Sequence, residues 1–383
     1  MTTRTFAKTL IACCLTFSTL TAADFTWNGS VSSSWQEPAN WTPAGVPSAA
    51  DTVTVPAGKK PIELTNTWQV AAFNLAGGTV QGSGTLIVTA AFAWTAGALT
   101  GSGHLEIPAG ATLAISGAGG KDLVGWSVEV SGNARWEGTG NIRSGEGAII
   151  QIQPTGSFEI ANDENIYYSF SGAPTVFNNA GVVRKTAGSS TTTLWCALNN
   201  DGTIEVQTGT LSSTSGGTSS GLFKVSAGAT LEFNGGTYEL KPASTIAGNG
   251  ALALRSGTVK VAGTFSLTGT TAISGGTLDI ASDVNLGGEI TLSNGTLTGT
   301  GTVTHTGTFT WNGGTLSGTG ALVIPDSATL VIGSASGKTL QSRTVSIAGT
   351  ARWEGTGNIS SGQGATVNVQ PTGLFEISSD QVF

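Results

Sequence analysis

The chain has 383 residues, among them 57 Gly, 10 Trp and 3 Cys, with 10% charged residues and a formal net charge of -7. Charge this sparse and mildly acidic excludes the clustered Lys and Arg that nucleic acid or an anionic membrane surface requires. Low net charge and apolar residues in short alternating runs also exclude an intrinsically disordered chain.

Residues 1–23 carry Arg4 and Lys8, an apolar stretch from Leu10 to Leu20, and Thr21-Ala22-Ala23 ahead of Asp24. This is the three-part pattern of a secretory signal peptide, with cleavage expected after Ala23. The stretch is short of the roughly 20 apolar residues of a spanning helix, and no later segment reaches that length. Leu10-Ile11-Ala12-Cys13 is similar to a lipobox, which makes lipidation at Cys13 the minor alternative. Removing residues 1–23 leaves 14 basic against 23 acidic residues, a net charge of -9. It also leaves a single cysteine, Cys196, expected to be a buried thiol, so no internal disulfide framework is expected.

Residues 24–72 form a Trp-rich segment. Trp27, Trp35 and Trp41 have two readings: a cap over the first layer of the fold, or a platform on which a sugar ring stacks. They are the only ligand-site candidates.

Two scales of repetition organise the remainder. The segment from Gly78 to Ile166 aligns without a gap onto Gly295 to Phe383, each pair 217 positions apart, with Trp94 on Trp311, Pro108 on Pro325 and Trp136 on Trp353. The block ARWEGTGNI occurs at Ala134 and again at Ala351. Residues 73–289 are therefore one long unit and 290–383 a second, expected to be truncated. Within them runs a shorter theme of Gly followed by alternating apolar residues, as in Gly-Leu-Phe-Lys-Val at 221 and Gly-Thr-Leu-Asp-Ile at 276. The period of two predicts strands of four or five residues with one buried face, such as Phe223 with Val225, punctuated by Gly, Asn and Ser. The strand signal persists too long for one sandwich core. Together with spacings near 20 residues, as between Phe177-Asn178-Asn179 and Leu198-Asn199-Asn200, it predicts an all-β solenoid with two or three strands per coil and stacked Asn ladders.

The order Trp27, Trp35, Asn40-Trp41, Pro47, Asp51 resembles the start of bacterial autotransporter-type and related β-strand-repeat surface proteins. So does the stretch NNAGVVRKTAGSSTTTLWCALNNDGTIEVQTGTL from Asn179. The resemblance implies a right-handed parallel β-helix displayed at the cell surface, often in adhesion. The sequence departs from that group in showing no C-terminal translocator barrel, which leaves the secretion route open.

Residues fit for catalysis are scattered. Arg135 with Glu137, repeated as Arg352 with Glu354, reads as a solvated outer-face ion pair beside an inward Trp. His104 and His305 do not correspond in the alignment, and Asp279 lacks the tandem glycines and ligands of a calcium-binding repeat. A Thr-rich run, Thr304, Thr306, Thr308 and Thr310, raises a water-ordering surface, but its counterparts in the first copy are Ile87, Thr89, Ala91 and Ala93. No catalytic residue, cofactor or metal is expected. The expectation is an exported, non-enzymatic structural or adhesive module, secreted or at the surface of a bacterium, with glycans or surface proteins of a host or the environment as partners. The alternative is a carbohydrate-binding or polysaccharide-degrading β-helix.

Overall fold

The computed structural model describes residues 22–378, 380 and 382–383. Arg4, Lys8, the apolar stretch and Cys13 of the expected signal segment lie outside the described residues. The chain is a β-solenoid of about 16 stacked coils built almost wholly from parallel strands. One coil shows the plan: Lys121–Val124, Ser127–Val130 and Asn133–Trp136 form three strands joined by short corners. Each pairs in parallel with the strand one coil away, at Ile142–Gly145, Ile149–Ile152 and Ser157–Ile160. We call the three resulting stacks faces A, B and C, in chain order.

Alternation fills the interior. Leu123, Val128, Val130, Ala134 and Trp136 point inward from that one coil and are buried, and the same pattern on every coil makes one hydrophobic core from Trp27 to Ile359. A single coil has no second layer to cover its apolar side chains, so each depends on its neighbours for burial and for backbone hydrogen bonds. Face C lapses once, where Thr264–Leu267 and Val284–Leu286 do not pair. Among the described residues no helix is long and apolar enough to cross a membrane.

The glycine content follows from stacking at about 4.8 Å. Gly181, Gly202 and Gly221 succeed one another at the corner between faces B and C. A Cβ on each would overlap the carbonyl oxygen of the glycine one coil earlier, Gly156, Gly181 and Gly202 respectively. Asparagines form the expected ladders on face B. Inside, Asn179 Nδ2 donates to Asn200 Oδ1 at 2.7 Å, and Asn200 Nδ2 continues to the Leu222 carbonyl at 3.2 Å. Outside, Asn199 Nδ2 donates to Asn178 Oδ1 at 2.9 Å.

The repeat boundaries divide sequence and not structure. Residues 72/73 fall inside the strand Thr67–Gly82, and 289/290 inside Glu289–Leu292. The duplication also has a rotational phase. Lys121–Val124 lies on face A, whereas its equivalent, Lys338–Gln341, lies on face B ten coils beyond Ser127–Val130. Likewise Asn133–Trp136 is on face C and Thr350–Trp353 on face A. The 217-residue unit thus comprises ten coils and one strand, so the second copy is turned by about a third of a revolution and displaced by about 50 Å. On the final described coil Ile377 is 60% exposed, against 0% for its equivalent Ile160, which the following coil covers.

Candidate functional site

Face C carries a rank of alternating charge. Parallel register sets Arg135 beside Glu159, then Arg184, Glu205 and Lys224 on successive coils. Arg135 Nη1 lies 2.5 Å from Glu159 Oε2, and its Nε 2.7 Å from Glu137 Oε2. Thr186 Oγ1 donates to Glu159 Oε1 at 2.6 Å, and Arg184 Nε pairs with Glu205 Oε2 at 2.9 Å. A shallow groove of about 520 Å³ runs alongside, floored by Thr112, Ala114, Asn133 and Ser157. The Arg135 hydrogen bond, then that of Thr186, holds the Glu159 carboxyl below the usual range, while Glu159 and then Glu137 push the guanidinium of Arg135 upward. The rank is a surface of fixed, mutually compensated charge. A general acid needs the reverse shift, a carboxyl raised toward neutrality.

The corner between faces A and B carries an aromatic shelf. Tyr167 and Trp195 sit on successive coils with ring centroids 5.9 Å apart and a 51° tilt, and Trp195 is 46% exposed. Asn165 holds the shelf in place: its Nδ2 donates to the Tyr167 hydroxyl at 3.2 Å, and its Oδ1 accepts the Thr193 N–H at 2.7 Å. One coil earlier Arg143, in register with Tyr167, makes a two-pronged pair with Asp122 at 2.7 and 2.8 Å. Beside it Tyr168, the last residue of the strand Ile166–Tyr168, is exposed.

Trp27, Trp35 and Trp41 are 0–1% exposed, which overturns the sugar-platform reading of these three. Trp41 packs edge-on to both neighbours at 4.9 Å, Trp35 stacks on Trp68 and Phe73, and Trp27 Nε1 donates to the Lys60 carbonyl at 2.7 Å. The cluster packs against the first coils through Trp68 and Phe73. Arg135 and Glu137 form the outer pair with Trp136 inward, while Arg352 pairs at 3.1 Å with Glu376 on the next coil, the equivalent of Glu159, and makes no ion pair with Glu354 among the described residues. Ala23, expected to end the signal segment, already takes part in the first ladder through Thr52 and Asp51. His104 is on face B beside Ser127, and His305 is buried on face C with Nδ1 3.0 Å from the Leu286 carbonyl, so the two are not brought together. Asp279 joins no cluster: among the described residues no group of three or more His, Cys, Asp or Glu is arranged to hold a metal ion. Cys196 is fully buried, and burial pushes its thiol up to about 12.

Thr304 and Thr308 fall on different faces, so the run containing them makes no flat array. A different rank exists on face B, where Thr237, Thr258, Thr277, Thr296, Thr315 and Thr339 stack on successive coils. The next outward positions are Glu239, Lys260, Asp279 and Thr298, so the Thr rank is a single file beside a mostly charged one. Buried cations also escaped the sequence reading. Lys121 and Lys338, 217 positions apart, are 0–1% exposed and donate to the Gly119 and Ser336 carbonyls at 2.8 and 2.9 Å. Their equivalence in the duplicated segment was the available signal.

Residues 26–120, the Trp-rich segment and the first coils, match the model of a domain of unknown function, DUF8693. No curated protein matches the chain.

Proposed function

We propose that this chain is an exported β-solenoid that serves as a structural or adhesive module at a bacterial surface and has no catalysis of its own. The observation that carries the reading is the charge rank on face C. Its carboxylates are spent on neighbouring guanidinium and hydroxyl groups one coil away, an arrangement that stiffens the rod and leaves no acid and base poised for turnover. The signal-like pattern of residues 1–23 and the resemblance to exported β-strand-repeat proteins support export.

A second reading, carbohydrate binding, is favoured by the Tyr167–Trp195 shelf, because an exposed aromatic face flanked by hydrogen-bonding groups suits the apolar face and hydroxyls of a sugar ring. The test is a glycan and extracellular-matrix binding screen on the purified mature chain, with polysaccharide turnover followed in the same wells. Binding without turnover is expected. Turnover removed by Arg135→Ala or Glu137→Ala in a folded protein would overturn the non-catalytic reading.

A further inference from the structure

Asp51 is a carboxylate only 5% exposed, and among the described residues no cationic side chain pairs with it. Its Oδ2 accepts both the Ser48 N–H and the Ser48 hydroxyl at 2.7 Å, and its Oδ1 accepts the Ala23 N–H at 2.8 Å. Burial pushes the carboxyl up, but these donors hold it on balance below the usual carboxylate range. A buried charge with no countercharge is costly. The Ala23 carbonyl meanwhile accepts the Thr52 N–H at 2.9 Å and so opens the ladder that continues Asp24 beside Thr52 and Phe25 beside Val53. Ala22 is exposed.

We infer that the exported chain is cut between Ala22 and Ala23, and that the new α-ammonium group of Ala23 supplies the missing countercharge to Asp51. The step is hydrolysis by a leader peptidase: water cleaves the Ala22–Ala23 peptide bond, Ala22 leaves as a carboxylate, and the Ala23 nitrogen is protonated where its N–H already meets Asp51. An A-x-A-like site asks for small residues first and third before the cut: Thr21 and Ala23 meet it for a cut after Ala23, whereas a cut after Ala22 places Leu20 third, so the contact of Ala23 with Asp51 is what argues for the cut one residue earlier. Cleavage after Ala23 would remove the donor to Asp51 Oδ1 and the first acceptor of the ladder together. The inference rests on the export reading above.

N-terminal sequencing of the protein recovered from its native cells is the test. Ala-Asp-Phe-Thr-Trp is the expected result. A chain that begins at Asp24 would sink the assigned site and leave export standing, whereas a retained leader would sink both. On chains that begin at Ala23, the pH dependence of α-amine acylation reads the ion pair without a variant. Its midpoint is expected about one unit above the ordinary value near 8, and an unshifted midpoint would overturn the pairing. Asp51→Asn should return the midpoint to the ordinary value.

Discussion

Trp126 and Arg343 occupy the same place in the two copies of the duplicated segment, and each donates to the same equivalent carbonyl. Trp126 Nε1 reaches the Thr100 oxygen at 2.7 Å, and Arg343 Nε reaches that of Ser317 at 2.6 Å. Both side chains are 0% exposed. The guanidinium also donates to the Ala321 and Gly299 carbonyls at 3.1 and 3.2 Å, and burial pushes it down to about 10. Backbone oxygens, with no carboxylate among them, hold this cation. Arg343→Met should therefore cost on the order of 3 kcal/mol by stranding several buried acceptors. Arg343→Trp should cost less, because it restores the arrangement of the first copy, where Gly103 leaves room for the ring. Denaturant unfolding of the three proteins checks the order.

Coil spacing predicts a contrast between two glycines. At Gly202 a Cβ would overlap the Gly181 carbonyl oxygen, so Gly202→Ala must force coils apart, at a cost on the order of 3 kcal/mol. At Gly228 the backbone is left-handed at φ 79° but the surroundings are open, so Gly228→Ala should cost only about 1 kcal/mol. Equal costs in parallel melts would refute stacking as the origin of the glycine ladder.

His305 predicts a pH dependence. Burial holds its imidazole below the ordinary value of 6.5, and Nε2 has no hydrogen-bond partner among the described residues. The unfolded chain binds the proton more readily, so the stability contributed by this site is full above about 6.5 and falls as pH drops below it. His305→Val, the residue at the equivalent Val88, should flatten the thermal midpoint between pH 7 and 5. Asp51, Glu159 and Asp163, held below the carboxylate range, contribute losses only near pH 4 and under.

On the carbohydrate reading, Trp195→Ala should abolish retention on any glycan that the rod binds while leaving its melting temperature unchanged, since the ring is 46% exposed. Trp27→Ala should do the opposite, lowering stability by about 3 kcal/mol or more through loss of a buried aromatic, without touching the shelf. Affinity electrophoresis paired with calorimetry separates the two.

Alternation in runs such as Thr203–Val206 and Leu222–Val225, and the match at an offset of 217 positions, made the solenoid legible, because inward and outward positions are written directly into the residue order. The Asn ladder was legible for the same reason. The site was less so. Arg135 and Glu159 are 24 positions apart and Arg184 and Glu205 21, so unequal coil lengths hide a rank of charges that looks scattered along the chain. Arg343 was illegible as an interior residue because only folding brings the carbonyls of Ser317, Ala321 and Gly299 to it, whereas Lys121, whose acceptors Gly117 and Gly119 are local, was marked only by its duplicate Lys338. Trp195 carries no outward mark of its own beside Cys196, and the only hint in the sequence is that Tyr167-Tyr168 stands in a stretch that departs from the Gly-led theme.

The ten coils and one strand between copies turn equivalent residues toward different sides of the molecule. Arg135 with Glu159 looks out from face C, and Arg352 with Glu376 from face A. A flat partner laid along the rod meets one of these duplicated patches and not the other. Reaching both takes something that winds around the shaft, or two separate surfaces on different sides, so duplicating the sequence has not duplicated the outlook of the patch.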